Sequence, residues 1–572
     1  MPHVVTQSCC SDGSCVYACP VNCIHPTPDE PDFLTAEMLH VDPVACVDCG
    51  ACVTACPVGA ILPHGKLSEE QLPFLEINAD FYKQPRERPL LAPMIESTTA
   101  RADLGGLRVA VVGSGPAGMY AADEILRQAG AQVNVFDRLP APYGLVRAGV
   151  APDHQHTKQV TDLYDKVSRE PGFQFFLKVE VGDVAAGADV SHEELLAHHH
   201  AVIYAVGASS DRRLDVPGAD LPGIASATEF VGWYNGHPDH AHRTFDLSHR
   251  RVVIVGNGNV ALDVARILAS DPDRLAGTDI SGAALAALRG SKVEEIVVVG
   301  RRGAAQSAFT LPELTGLVAG TDYRVVVDRD GEIISSQEEH RLHEGGLGHA
   351  ADHKLAVLGQ LPSASDDAVA GGKRIVLRYL LSPKGFDGSD RVEAAEFASG
   401  AFTADGIDYA DEPVRIETGL VLTSVGYHGR RVADLPFDPA TGTVPNDGGK
   451  VTDSPGAYVT GWIKRGPSGF IGTNKSCAHD TVEQLLADVN AGPGRTVGTQ
   501  AELTALVRRR RPDMVDREGW AALDAAERRA GATQGRVRDK IIDADEAVRT
   551  ALAVAPPAPE RRFTLRRKSS VR

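Results

Sequence analysis

Beyond residue 56 the sequence has almost no cysteine, and before residue 66 it has no lysine or arginine. It also lacks any uninterrupted apolar run near the roughly 18 residues that a membrane-spanning helix needs. It has no basic surplus: the formal net charge is −18, which argues against a general nucleic-acid binder with its basic footprint. The opening MPHVVTQSCC has neither the basic nor the apolar region of a secretory signal, so a cytoplasmic location is expected. With 43% apolar and 23% charged residues, the composition is globular. A length of 572 residues suggests about three or four domains. Nine of the ten cysteines lie in the first 56 residues, and the tenth is Cys477. A reducing compartment has little use for a disulfide framework. One small domain is therefore built around cysteine chemistry, and a large region with almost none follows.

The run Cys46-x2-Cys49-x2-Cys52-x3-Cys56-Pro57 has the spacing of bacterial iron–sulfur carriers. Three thiolates in one tight loop can hold three corners of an iron–sulfur cube, and the cysteine before proline reaches a second cluster. Soft thiolates suit iron–sulfur clusters or zinc, but zinc usually takes paired C-x2-C knuckles. Sliding Cys56-Pro57 onto Cys19-Pro20 puts Cys52 on Cys15, Cys46 on Cys9 and Cys49 on Asp12, an internal repeat with one ligand changed. By the crossing rule, Cys19 joins Cys46, Cys49 and Cys52 around a four-iron (4Fe–4S) cluster, and Cys56 joins Cys9 and Cys15 around the other. That second cluster is either three-iron (3Fe–4S) or four-iron with Asp12 or water on the fourth iron. Cys10 and Cys23 are left over and read as small buried apolar residues. The segment CPVNC and the run DPVACVDCGACVTACPVGAI closely resemble the seven-iron class of bacterial ferredoxins, in which the cysteine after CPV is also spare. Residues 1–65 carry seven Asp/Glu, an acidic surface that would steer docking to a basic partner. Residues 66–105, with scattered prolines, read as a linker that partly drapes over a neighbour because LPFLEI and FYK are apolar.

Two dinucleotide-binding patterns follow. Arg108–Val112 runs as an apolar strand into Gly113-x-Gly115-x2-Gly118 and a helical pattern, and a second strand ends in Asp137, 24 residues after Gly113. That spacing suits an acid on ribose hydroxyls, with the glycines admitting a pyrophosphate to the helix N-terminus. The strand Arg251–Val255 leads into Gly256-x-Gly258-x2-Ala261, and the next strand ends in Arg301 and Arg302 where an NAD site would carry a carboxylate. Paired guanidinium groups suit a 2′-phosphate. FAD and then NADP are the cofactors this order implies. His198–Ala208 and Gly419–Gly429 read as strands by which the chain crosses between the units. Three consecutive histidines on a strand, His198–His200, cannot readily share one metal ion.

PYGLVRAGVAPDHQ, GNGNVALDVAR, RRGAAQSAFTLPEL and GWIKRGPSGFIGTN, in that order over residues 106–492, resemble the adrenodoxin-reductase type of ferredoxin–NADP reductase. With the N-terminal module, the chain resembles mycobacterial-type fusions of ferredoxin and ferredoxin–NADP reductase. The resemblance implies FAD on Gly113, Gly115, Ala117, Gly118, Asp137, Leu145, Val181 and Trp462, with Gly469, Phe470 and Ile471 along the isoalloxazine. It implies NADP on Asn257, Gly258, Asn259, Val260, Arg301, Arg302 and Glu313, with Gly469 near the nicotinamide. Gly466, Gly469 and Gly472 remove side-chain bulk, so a flat ring could approach the backbone, and TNKS could start a helix facing the flavin. Cys477 reads as core. His154, Asp263 and Glu313 lie in the family motifs and read as groups for proton balance or positioning, since the cofactors carry the redox chemistry.

The fold class expected is an α+β ferredoxin-like iron–sulfur domain followed by an α/β flavoprotein reductase with two dinucleotide-binding domains. The FAD part spans 106–208 and 425–492, and the NADP part 209–424. A helical extension covers 493–550 and a basic tail 551–572. The activity implied is reversible electron transfer from NADPH through FAD to fused and external ferredoxin, or to an oxidase such as a cytochrome P450 system. The other reading is an electron-entry subunit resembling the small subunit of glutamate synthase. A zinc protein with degenerate nucleotide folds is a remote third.

Overall fold

The computed structural model describes residues 2–553 apart from 84–88, 90, 93–96, 102–105, 330–332, 345, 366–371 and 493–494. The N-terminal domain repeats itself in its backbone as well as in its sequence. Helix Ser14–Ala18 follows Gly13 at φ 71°, and helix Ala51–Ala55 follows Gly50 at φ 75°. The left-handed turn favours glycine at both places. Ser11 and Asp48, at φ 55° and 58°, precede them in the same register. Both helices end on a cysteine in extended conformation, Cys19 and Cys56. Two antiparallel pairs, His3–Val5 with Ile61–Pro63 and Ile24–His25 with His40–Val41, close the α+β unit.

The first part of the expected linker does drape over a neighbour, but it does so as a helix. Pro73–Asp80 is a helix whose Phe74 and Ile77, with Phe81 just beyond, are buried. Their i, i+3, i+7 spacing places one apolar face on the N-terminal domain. Asn78, also buried, accepts from Val5 N and Val41 N and donates to Val5 O and Phe74 O, tying both strand pairs to the helix. Residues 66–83 therefore belong to the N-terminal domain. Much of 84–105, and residues 554–572 of the expected basic tail, lie outside the described residues.

The first dinucleotide unit is a seven-stranded sheet. Ala457–Val459, Ala201–Tyr204, Arg108–Val112, Gln132–Asp137 and Phe173–Leu177 lie parallel in that order, and two short antiparallel strands extend the Ala457 edge. The second unit is a six-stranded parallel sheet in the order Ile224–Ser226, Leu420–Thr423, Arg251–Val255, Glu295–Val299, Lys373–Arg378, Tyr323–Val327. Its central strands are buried runs of Val and Ile, as expected of a parallel sheet covered on both faces. A three-stranded antiparallel sheet, Leu381–Asp387, Ala394–Thr403 and Gly406–Glu417, packs beside it.

The histidine run is not a strand. His198 ends helix His192–His198, and the strand begins at Ala201. The three rings turn to separate partners, His198 to Glu194 O, His199 to Leu195 O and Asn134, and His200 to Arg108. Shared metal ligation stays excluded, for this reason rather than for strand alternation.

Helices Gln500–Arg510, Arg517–Ala532 and Ala544–Leu552 form the C-terminal extension. Trp520 packs edge-on to Tyr143 at 5.7 Å, and buried Glu527 pairs with Arg147 at 2.6 Å and Arg538 at 2.9 Å. Lys540 reaches Asp279 at 2.8 Å, so the extension clamps the first unit to the second. Among the described residues, no helix is long and apolar enough to cross a membrane.

Candidate functional site

Each glycine turn ends in a helix without a side-chain cap. Helix Pro116–Leu126 starts after Gly115, and helix Asn259–Ala269 after Gly258. A Cβ on either glycine would meet nothing within 4 Å, so both turns open onto free space. Uncapped N–H groups at the positive end of a helix, beside an open cradle, fit a dinucleotide phosphate. Gly113 and Gly118 differ. A Cβ on Gly118 would lie 1.9 Å from Gly113 O, and one on Gly113 would lie 2.5 Å from Ala205 O. These two glycines bring helix, turn and strand together; Gly118 lies behind the turn, although Gly113 still shares the cavity wall.

The first cavity is lined by Gly113, Gly115, Ala117, Asp137, Leu145, Val181 and Trp462 together. Asp137 stands at the strand end, where Oδ2 accepts from Ser114 N at 3.0 Å and Oδ1 from Leu139 N at 3.0 Å. Oδ2 also accepts from Ser114 Oγ, so Oδ1 is the oxygen that keeps acceptor capacity. The sequence reading missed Arg430 and Arg431, which also line this cavity. They follow directly on the crossing segment, where an arginine pair was a visible signal.

The second cavity holds Gly258, Asn259, Val260, Gly469 and Phe470, and it meets the first at Trp462. Asn257 instead lies against Gly300. Arg301 and Arg302 stand exposed just past strand Glu295–Val299, beside that turn. Glu313 is not on the lining. It faces His154 Nε2 at 4.0 Å and Arg266 Nη1 at 3.8 Å, and His154 Nδ1 is 3.9 Å from Asp263. The three expected groups are thus brought together. Their potential ligand atoms lie within 4.8 Å of one another, but the Arg266 guanidinium, bonded to Asp263 and Asp153, already supplies the counter-charge. Burial pushes the Glu313 carboxyl up, against the pull of His154 and Arg266. Burial acts the same way on Asp153, but there Arg266 wins and holds the carboxyl well below the usual carboxylate range.

The closing loop has two sides. Gly469 and Phe470 face the second cavity, whereas Ile471 packs against the reductase core, as Cys9 and Cys56 do. Gly472 N donates to Cys10 O at 2.8 Å, and a Cβ on Gly472 would lie 2.3 Å from Asp12 N. This glycine admits the N-terminal domain rather than a flat ring. Helix Thr473–Ala491 follows, and its Lys475 donates to Ser14 Oγ at 2.7 Å and lies 3.5 Å from Asp12 Oδ2. Buried Cys477 accepts from Gly461 N at 3.2 Å.

The thiols form two groups. Cys19, Cys46, Cys49 and Cys52 surround one small cavity with Cys23 on its wall. Cys23 lies with Sγ 3.4 Å from Cys19 Sγ. The Cys23 thiol pulls Cys19 down to about 5, which favours the thiolate a cluster needs. Cys9, Cys15 and Cys56 group around Asp12. Burial pushes the Cys9 thiol up to about 11 and raises Cys15 well above its ordinary value, with the charges of Asp12 and Cys56 adding to both. Buried thiols held near a carboxylate fit metal, which removes the proton outright. Cys10 is buried, as expected. Both thiol groups and both cavities therefore fit the groups the sequence implies.

Residues 107–293 match the pyridine nucleotide-disulphide oxidoreductase family and residues 8–60 the 4Fe-4S dicluster domain. The chain is 53% identical over 580 residues to the probable ferredoxin/ferredoxin–NADP reductase of Mycobacterium leprae, covering 98% of this chain and 99% of that one. It is 54% identical over 585 residues to the protein of that name from Mycobacterium tuberculosis, covering 99% and 98%. The solved structure of Mycobacterium tuberculosis FprA in complex with NADPH superposes with a TM-score of 0.72 at 40% identity, covering 78% of this chain and all of that one. What the repeated thiols, the two glycine turns and the loop between them indicate, the relatives state outright: this chain belongs to the ferredoxin/ferredoxin–NADP reductase family.

Proposed function

We propose that this enzyme moves electrons from NADPH at the second cavity, through FAD at the first, into its own iron–sulfur domain and out to an external carrier. One observation carries the reading. The loop Gly466–Gly472 borders the coenzyme cavity on one side and is hydrogen-bonded to the Cys10–Asp12 segment on the other. When bound, FAD would take an electron pair from the nicotinamide and release single electrons that the clusters carry.

The protein's own residues supply position. The uncapped turns at Gly115 and Gly258 hold the two pyrophosphates, and Asp137 takes the ribose of the first. Arg301 and Arg302 select the 2′-phosphate of the second. Trp462 stands where the cavities meet, and Gly469 and Phe470 bound the space for the nicotinamide and flavin rings. Glu313 serves the cluster with His154, Asp263 and Arg266, where it sets proton balance and position, rather than touching NADP.

Cys9 and Cys56, of the set that includes Cys15, pack against the reductase core, and exposed Cys49 marks the outer side of the other set. We read the inner site as a three-iron cluster. The ligand position it lacks is Asp12, whose oxygens are engaged by Ser14 N at 3.3 Å and Ser14 Oγ. Electrons then leave beside Cys49 for an acceptor such as an external ferredoxin or a cytochrome P450 system, in the cytoplasm, where thiols stay reduced.

The test is an anaerobic titration of the full chain with NADPH and NADH, following flavin absorbance and cluster EPR. NADPH should reduce both, and exchanging Arg301 and Arg302 for serine should weaken NADPH by about tenfold or more while sparing NADH. Equal losses for both coenzymes would overturn the 2′-phosphate assignment.

A further inference from the structure

The N-terminal domain also grips the second dinucleotide unit, and Glu37 is the centre of that grip. Glu37 Oε1 accepts from Lys354 Nζ at 2.9 Å, and Oε2 accepts from Leu311 N at 2.5 Å. Leu311 opens helix Leu311–Val318, whose N-cap Thr310 supplies no side-chain cap. A carboxylate from another domain thus satisfies a free N–H at the positive end of this helix. Lys354 is buried and also donates to Phe309 O at 3.2 Å. Leu311 itself packs in the core of the N-terminal domain. Gln7 is pressed so closely on the same helix that a Cβ on Gly316 would lie 2.1 Å from Gln7 Nε2.

The contact leads straight to the coenzyme cavity. Leu34, Thr35 and Glu37 line it together with Gly258, Asn259 and Val260. Leu34 is 58% exposed, an apolar side chain on the cavity rather than in a core. Asn259 Oδ1 accepts from Thr310 N at 2.8 Å, so the glycine turn, the start of the helix, Glu37 and Lys354 form one connected chain of hydrogen bonds.

We propose that Leu34–Glu37 of the iron–sulfur domain is a wall of the NADP(H) site, so that the pyridine dinucleotide phosphate and the docked domain each strengthen the binding of the other. The reciprocity is thermodynamic: a segment that adds affinity for the coenzyme is itself held in place by it. Lys354 neutralises Glu37, so the wall adds contact without adding net negative charge against the coenzyme phosphates. The inference rests on assigning the Gly258–Val260 cavity to NADP(H).

Calorimetric titration of the oxidised full chain with NADP+ tests both, with cluster EPR as the check on loading. Glu37→Gln, Lys354→Met and the double variant should each weaken NADP+ by about five- to tenfold, the double no more than the singles, because the pair acts as one anchor. Leu34→Ala, a surface change that leaves the fold intact, should weaken it by about threefold. Val260→Trp should block the cavity. Unchanged or tighter NADP+ binding in the Glu37, Lys354 and Leu34 variants, with Val260→Trp weakened, would overturn the wall. Unchanged binding in all of them, Val260→Trp included, would instead show that the cavity itself was misassigned.

Discussion

The amide of Gly472 donates to the carbonyl of Cys10 at 2.8 Å, so the loop bordering the coenzyme cavity and the loop carrying the inner thiols share a backbone hydrogen bond. No side chain can stand between them there, since a Cβ on Gly472 would lie 2.4 Å from both Asp12 Cα and Cys10 O. Gly472→Val should part the two loops. Reduction of the clusters by NADPH should slow by up to about 10²-fold in stopped flow, the scale of a misplacement near 1 Å, while NADPH–ferricyanide turnover is largely kept.

Asp12 occupies the repeat position of Cys49. Asp12→Cys should complete a fourth thiolate and turn the inner site into a four-iron cluster. Iron per flavin should rise, and the EPR signal of an oxidised three-iron cluster should disappear. An unchanged spectrum of the oxidised protein would contradict the repeat.

His479, on the helix behind the flavin loop, lies 3.5 Å from Glu124 on the helix of the first glycine turn. The hydrogen bond to Glu124 holds the imidazole above its ordinary value, against partial burial. A raised folded-state value means that the folded protein keeps the proton longer than the unfolded chain. The pairing therefore contributes fully below about pH 6.5 and is lost as pH rises through the folded-state value. Thermal melts of wild type and His479→Gln should differ by about 0.5 kcal/mol at pH 6 and converge once the pH has risen past the folded-state value.

Glu527 is wholly buried between Arg147 and Arg538 and also accepts from Ile541 N at 3.0 Å. Glu527→Ala would leave the Arg147 guanidinium without its carboxylate, and Arg538 with Asp524 alone, and should destabilise the protein by about 3 kcal/mol. The melting temperature should fall, and the C-terminal helices should become the first segment to exchange amide hydrogens.

Local patterns were legible in the sequence wherever one short motif dictates one geometry. The thiol repeat reappears as paired φ values at Ser11 and Asp48 and at Gly13 and Gly50, because a loop that must turn back on itself needs the left-handed region at fixed places. Both glycine turns were legible for the same reason. The helix bearing Phe74 and Ile77 was readable from its spacing, but Pro73 and the nearby prolines suggested a linker, and burial against a neighbouring domain outweighed them. Gly118, Glu313 and Ile471 show a different limit. Their motif membership is local, but the direction each faces is set by what packs behind it: Gly113, the Arg266 cluster and the reductase core. Glu37 carried no signal at all, since its partners Leu311 and Lys354 are more than 270 residues away.

The central claim is that the inner thiol set relays every electron passing from the reductase to the outer set. Rapid-freeze EPR after mixing the full chain with NADPH tests it directly, comparing wild type with Cys15→Ser. The account predicts that losing the inner cluster slows reduction of the cluster held by Cys19, Cys46, Cys49 and Cys52 by roughly an order of magnitude or more, with flavin reduction unchanged. Reduction of the outer cluster at the wild-type rate in Cys15→Ser would contradict it.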